Sequence, residues 1–163
     1  MKHILTALIV ITVFSIIGCT KGGTLERITG SQYTITSSAS SKNLVPAIDT
    51  TSTGTFNGFY DEQSNILAFT VTWNDLWRTT SKDTITSVNF YGPAGTNMNG
   101  MLVRSLPFVS TSNAASANLG IEGFNGFTAA EKKNLLEGSC YFTINTRKYP
   151  NGIIRGQLAA TKQ

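Results

Sequence analysis

The chain has 163 residues, 40% of them hydrophobic and 13% charged, and carries a net charge of +4. That length suits one folded unit with its own core. One histidine, His3, and two cysteines, Cys19 and Cys140, exclude a disulfide framework and leave acid–base and metal chemistry without their commonest side chain.

Lys2 and His3 precede an uncharged apolar run from Ile4 to Ile17, closed by Gly18-Cys19. A basic start followed by a run too short to span a bilayer is the layout of a secretory signal. A small residue directly before a cysteine, with aliphatic residues before that, is the pattern of a bacterial lipoprotein cleavage site. Residues 1–18 are therefore predicted to be a signal peptide that is removed. Cys19 becomes the lipidated N-terminus, bearing a diacylglyceryl thioether and palmitate-type chains whose methylenes each add about 0.8 kcal/mol of membrane affinity. Residues 19–24, with Gly22 and Gly23, read as a flexible tether. The expected location is the cell envelope, at the outer membrane in a Gram-negative cell, with membrane lipid as a partner through Cys19. Cleavage also removes His3, so serine–histidine triads, zinc hydrolase sites and copper sites all lose their main component. The basic residues are scattered, which argues against nucleic acid as a partner.

From Leu25 onward Thr, Ser, Val, Ile, Phe and Tyr dominate, and apolar residues alternate with polar ones over short runs, the pattern of half-buried strands. Strands are predicted over Tyr33 to Thr36, Thr55 to Tyr60 and Ile66 to Trp73, the last two joined by the loop Asp61 to Asn65. Ile85 to Tyr91 runs into the turn Gly92-Pro93-Ala94-Gly95. Met101 to Phe108 follows, then a small-residue loop over Ser110 to Ser116 and a strand over Ala117 to Phe124. Thr128-Ala129-Ala130-Glu131 is a capping box opening a short helix that Gly138 ends, with Leu135 and Leu136 on its apolar face. The chain closes with a hairpin, Tyr141 to Thr146 and Ile153 to Ala159, around Tyr149-Pro150-Asn151-Gly152. These elements predict one all-β domain over residues 25–163, an antiparallel Greek-key sandwich or barrel of about seven to eight strands with one short helix.

The final hairpin, Tyr141-Phe142-Thr143-Ile144-Asn145-Thr146 and Pro150-Asn151-Gly152-Ile153-Ile154-Arg155-Gly156-Gln157-Leu158, resembles the closing signature of the chordin-type CHRD domain. Val45-Pro46-Ala47, the Gly54 strand leading to Asp61, Leu67 to Leu76, and Val88-Asn89-Phe90-Tyr91-Gly92-Pro93-Ala94 resemble further blocks in the same order. The resemblance covers about Tyr33 to Leu158, and Arg155-Gly156-Gln157 is its most specific element. It implies a single-domain bacterial lipoprotein with no assigned activity. In chordin itself the domain belongs to an extracellular antagonist of growth factors. The family usually carries two histidines where this chain has Asn89 and Tyr91, another where it has Asn145, and a glutamate where it has Ile153. Any metal or acid–base role of that cluster does not transfer.

Strand parity places Thr143 and Asn145 on one face of their strand, opposite Phe142 and Ile144. On the next strand Ile153, Arg155 and Gln157 share a face opposite Ile154 and Leu158. Pairing the two polar faces surrounds Arg155 with Thr143, Asn145 and Gln157, and Asn89 and Tyr91 can join them. This candidate group reads either as a hydrogen-bond network holding strands in register or as a recognition patch in which Arg155 offers a fork to a carboxylate or sulfate. Other features read as structure. Cys140 alternates with buried positions as a small hydrophobe. Trp73 continues an apolar alternation, although with Trp77 it could also form a sugar platform. Gly92 to Gly95 lacks the lysine of a phosphate loop, and Asp61 with Glu62 falls short of a calcium loop.

The functional expectation is a non-catalytic binding or structural module with no metal, cofactor or catalytic residue, whose partner is an envelope protein or glycan. The alternatives are a metal-dependent enzyme of the superoxide-dismutase type, disfavoured by the missing histidines, and a self-associating adhesion or matrix subunit.

Overall fold

The computed structural model describes residues 30–74, 76, 83–110, 113–120 and 126–163, without the side chains of 108–110. Cys19, the tether and Trp77 lie outside the described residues, as does the second half of the strand expected over Ala117 to Phe124. Nine strands form among the described residues: β1 Gln32–Ser40, β2 Thr53–Asp61, β3 Ile66–Asn74, β4 Ile85–Tyr91, β5 Leu102–Ser110, β6 Ala114–Leu119, β7 Tyr141–Thr146, β8 Ile154–Gln157 and β9 Ala159–Lys162. The helix α1 spans Ala129–Leu136. Every pairing is antiparallel, in one continuous sheet of order β5-β4-β7-β8-β1-β2-β3-β6, with β9 also on β1. No helix among the described residues is long and apolar enough to cross a membrane.

The sheet curls until its two halves face each other. Phe56 on β2 and Phe142 on β7 are three strands apart in the sheet order, yet their ring centroids lie 5.3 Å apart. Phe90 on β4 meets Phe56 at 5.9 Å and Phe69 at 5.3 Å, both edge to face. The inward rows of the strands are therefore apolar: Phe56, Leu67, Val71, Val88, Ile144 and Ile154 are all essentially buried in one cluster. The all-β antiparallel expectation is met, with the core between two halves of one sheet.

The differences from expectation have local causes. The run Ile153 to Ala159, expected as one strand, is two. β8 pairs β7, while Leu158 is buried between the segments and donates its amide to Cys140 O, and β9 then lies along β1. This split brings the count to nine. β1 continues through Ser37-Ser38-Ala39-Ser40, residues of weak strand preference, because all nine of its residues pair with β2. β6 starts at Ala114, inside the expected loop, because its small residues pair in register with β3. Ile153, placed by parity beside Arg155, is buried in the core cluster. It precedes β8 and follows Gly152, whose φ of +113° breaks the alternation.

The helix forms where the capping box predicts. Thr128 Oγ1 accepts from the Glu131 amide, Glu131 Oε2 accepts from the Thr128 amide, and Gly138 takes φ +72° past the end. The Glu131 carboxylate also receives both terminal nitrogens of Arg104 from β5, at 2.8 and 2.9 Å. This bidentate pair joins the helix start to the sheet, with Leu135 buried beneath. Burial works against the charge of Glu131, but the Thr128 and Arg104 hydrogen bonds prevail and hold its pKa below the usual carboxylate value.

Candidate functional site

The outward faces of β4, β7 and β8 carry the predicted polar group, and the register brings it together. Asn89 lies opposite Thr143, Tyr91 opposite Tyr141, Arg155 opposite Thr143 and Gln157 opposite Tyr141. All six residues of β7 are buried, because two segments cover its outer side: residues 41–50 and the stretch from Gly92 to Met101. These segments meet above the sheet, where Asn99 Nδ2 donates to Val45 O at 2.8 Å.

Arg155 is the centre of this region and only 1% exposed. Its guanidinium carbon sits 3.6 Å from the Tyr141 ring centroid, and Tyr141 in turn stacks on Tyr91 at 5.0 Å and 9°. The three side chains form a continuous stack across β8, β7 and β4. Arg155 Nη2 donates to Gly95 O at 2.7 Å and Nη1 to Asn99 Oδ1 at 3.4 Å. Its backbone oxygen accepts from Asn43 Nδ2. Burial depresses the guanidinium pKa, against the opposing influence of Tyr141. No carboxylate pairs with Arg155 among the described residues. Ring face, carbonyl and amide oxygen thus hold a desolvated cation by dipoles and a quadrupole alone.

The structure corrects the bonding expected within the group. Arg155 donates to none of Thr143, Asn145 and Gln157. Thr143 Oγ1 donates to Asn145 Oδ1 at 2.6 Å, and Asn145 Nδ2 donates to Pro150 O at 2.6 Å, which fixes the turn of the closing hairpin. Asn89 Nδ2 donates to Tyr91 Oη at 3.2 Å and its Oδ1 accepts from Ser105 on β5. Gln157 Nε2 donates to both Ala94 O and Gly138 O, joining the turn after β4 and the end of α1 to β8, while its Oε1 is buried without a partner. Parity identified the face. The long arginine reaches past its neighbours to the covering loop.

Arg155-Gly156-Gln157 acquires a physical meaning here. Arg155 and Gln157 hold the covering loops on the outer face, while Gly156 faces the core opposite Phe142. A Cβ there would lie 2.6 Å from Phe142 Cε1 and 3.1 Å from Ala39 Cβ, so only glycine lets β7 and β1 approach this closely. Positions 89, 91 and 145, where the family usually has imidazoles, lie on this outer face. Here they hold two amides and a phenol. Among the described residues no three histidine, cysteine, aspartate or glutamate side chains group to hold a metal.

Beside the stack opens a cleft of about 510 Å³, bounded by the two covering segments and the closing hairpin. Leu44, Val45 and Ile48 give it apolar wall, Tyr91 and Tyr149 rings, and Lys148 and Arg155 charge. Among the described residues its lining contains no acidic side chain. Lys148 is exposed with its Nζ 5.6 Å from the Tyr149 ring centroid, and Asp83 Oδ1 accepts from the backbone amides of Lys148 and Thr84. Sequence reasoning missed Tyr141, Asn99, Lys148 and Tyr149. Tyr141 was within reach, since it shares the parity of Thr143 and Asn145. Asn99 carries no local signal, because a loop brings it there.

The other candidates resolve as structure. Cys140 is buried, and burial together with the Glu131 charge pushes its thiol up to about 11. Trp73 is 1% exposed in the core, which removes it from any exposed sugar platform. Asp61 accepts from the Ser64 hydroxyl and amide in the β2–β3 loop.

No curated protein and no solved structure matches the chain. The family model of the CHRD domain matches residues 35–158, a span running from β1 through the closing hairpin and taking in both the Arg155 stack and the cleft. The blocks that resembled this family in the sequence are thus strands and loops from both halves of the curled sheet, those of the covered face among them, and the chain belongs to the CHRD domain family.

Proposed function

We propose that the protein is a lipid-anchored, non-catalytic CHRD module of the bacterial cell envelope that binds a partner through the covered face of β4, β7 and β8. The cleft carries this reading: it is open, has mixed apolar and cationic walls, and is supported by side chains whose hydrogen bonds are already committed to holding its shape. Groups locked in this way favour recognition over proton transfer, since a general base needs a free lone pair within reach of its substrate. The absence of histidine after Met1 to Gly18 is removed supports the same choice.

Anchoring rests on the apolar run and Gly18-Cys19. Cys19→Ser should abolish incorporation of labelled palmitate and leave the protein either unprocessed or released from its anchor. Labelling and partitioning equal to wild type would contradict the anchor. Crosslinking in native envelopes followed by pull-down tests the binding half. The expected result is a stoichiometric glycan or protein adduct, and an unmodified monomer throughout would contradict it.

A further inference from the structure

We infer that the cleft beside the Arg155 stack is a binding site for an acidic sugar, a glycan unit carrying a carboxylate or sulfate. The inference rests on the binding-module reading above and names the ligand class of that site.

Charge is the first argument. Lys148 and Arg155 both line the cleft, no acidic residue does, and neither cation forms an ion pair among the described residues. A protein that buries a guanidinium normally supplies a carboxylate, because desolvating an uncompensated charge is costly. Here the protein commits two donor contacts of Arg155, to Gly95 O and Asn99 Oδ1, of the five N–H groups a guanidinium carries. An anion in the cleft would supply the missing counter-charge, and exposed Lys148 at the rim is placed to reach it first.

The walls are the second argument. A sugar ring presents an apolar face and an edge of hydroxyls. The half-buried rings of Tyr91 and Tyr149 with Leu44 suit the first, while the exposed amide of Asn151 suits the second. The volume of about 510 Å³ falls within the range typical of small-ligand sites. The covered face is also held to a fixed shape, with Asn99 fastened to Val45 and Tyr141 Oη accepting from the Gly100 amide, so little ordering is left to be lost on binding.

Calorimetric titration of the purified full chain with galacturonate, galactose 6-sulfate and galactose tests this. The expected result is saturable binding of one or both acids, with galactose at least about tenfold weaker, the effect of one charge-assisted contact. The two acids separate carboxylate from sulfate as the preferred anion. Lys148→Glu, a change on an exposed side chain, should weaken acid binding by about tenfold or more while its urea midpoint stays that of wild type. Equal affinity for galactose and the acids would overturn the inference yet leave a binding module standing. So would acid binding unchanged by Lys148→Glu. Absence of binding by all three probes also overturns it, and the crosslinking experiment then decides whether the module reading falls with it.

Discussion

Two depressions of about 510 Å³ lie on the outside of the same curled sheet, and they differ in chemistry. One sits on β2, β3 and β6, where the outward side chains that line it are uncharged and, Phe59 apart, small. Thr55 and Thr72 hydroxyls meet at 2.7 Å across one strand pair, and Thr70 and Ser116 at 2.7 Å across the next. Water reaches this face directly, and Phe59 is 43% exposed on it. The other lies on β4, β7 and β8, roofed by loops, with a buried arginine, stacked tyrosines and amides bonded to the loop backbone. On the open face a polar residue is an ordinary solvated residue of a strand. On the covered face each polar residue must have a partner, so its removal is costly.

The largest effect should follow from Arg155→Ala. It removes the buried side chain that fastens the covering loop through Gly95 O and Asn99 Oδ1 and empties the space over Tyr141, so urea unfolding should show a loss of about 3 kcal/mol. Arg155→Lys, which keeps charge but not the planar fork, should fall between. A wild-type midpoint for both would show that the roof does not depend on the stack.

The next effect concerns water exclusion beside β7. The Cys140 thiol, ordinarily near 9, is pushed up to about 11, so the folded state favours the neutral thiol. Its contribution is complete below about 9 and is lost as pH rises through about 11, on the order of 2 kcal/mol. Tyr60, raised to about 12 chiefly by burial, adds a later loss. Stability of wild type should therefore fall faster between those values than that of Cys140→Ala. Parallel curves would mean that the region admits water.

The smallest effect compares one deletion on the two faces. Thr143→Val leaves Asn145 Oδ1 buried without its donor and should cost about 1 to 2 kcal/mol. Thr72→Val, whose partner Thr55 can turn to water, should stay within about 0.5 kcal/mol. Equal costs would erase the distinction between the faces.

The same distinction explains what the sequence revealed. Period-two alternation located β2, β3 and β4 closely because one side of these strands is core. In β2 exposed and buried positions alternate almost without exception. It located β7 as well, but there every residue is buried, and alternation separates two kinds of interior. Parity could thus assemble Asn89, Tyr91, Thr143, Asn145, Arg155 and Gln157 on one face. It could not reveal their partners, because Gly95, Asn99 and Pro150 arrive from loops whose paths are set by tertiary contacts. The break at Leu158 was hidden for a related reason: hydrophobicity continues through it while the chain changes neighbours from β7 to β1.

The binding role proposed above belongs to the covered face. Backbone amide shifts recorded by NMR while galacturonate is added test it most directly. Saturable shifts confined to the cleft, at Tyr91, Thr143, Lys148 and Asn151, are expected, with Thr55, Thr70 and Thr72 unmoved. Shifts centred on the threonines of the open face, or none at the cleft, would contradict it.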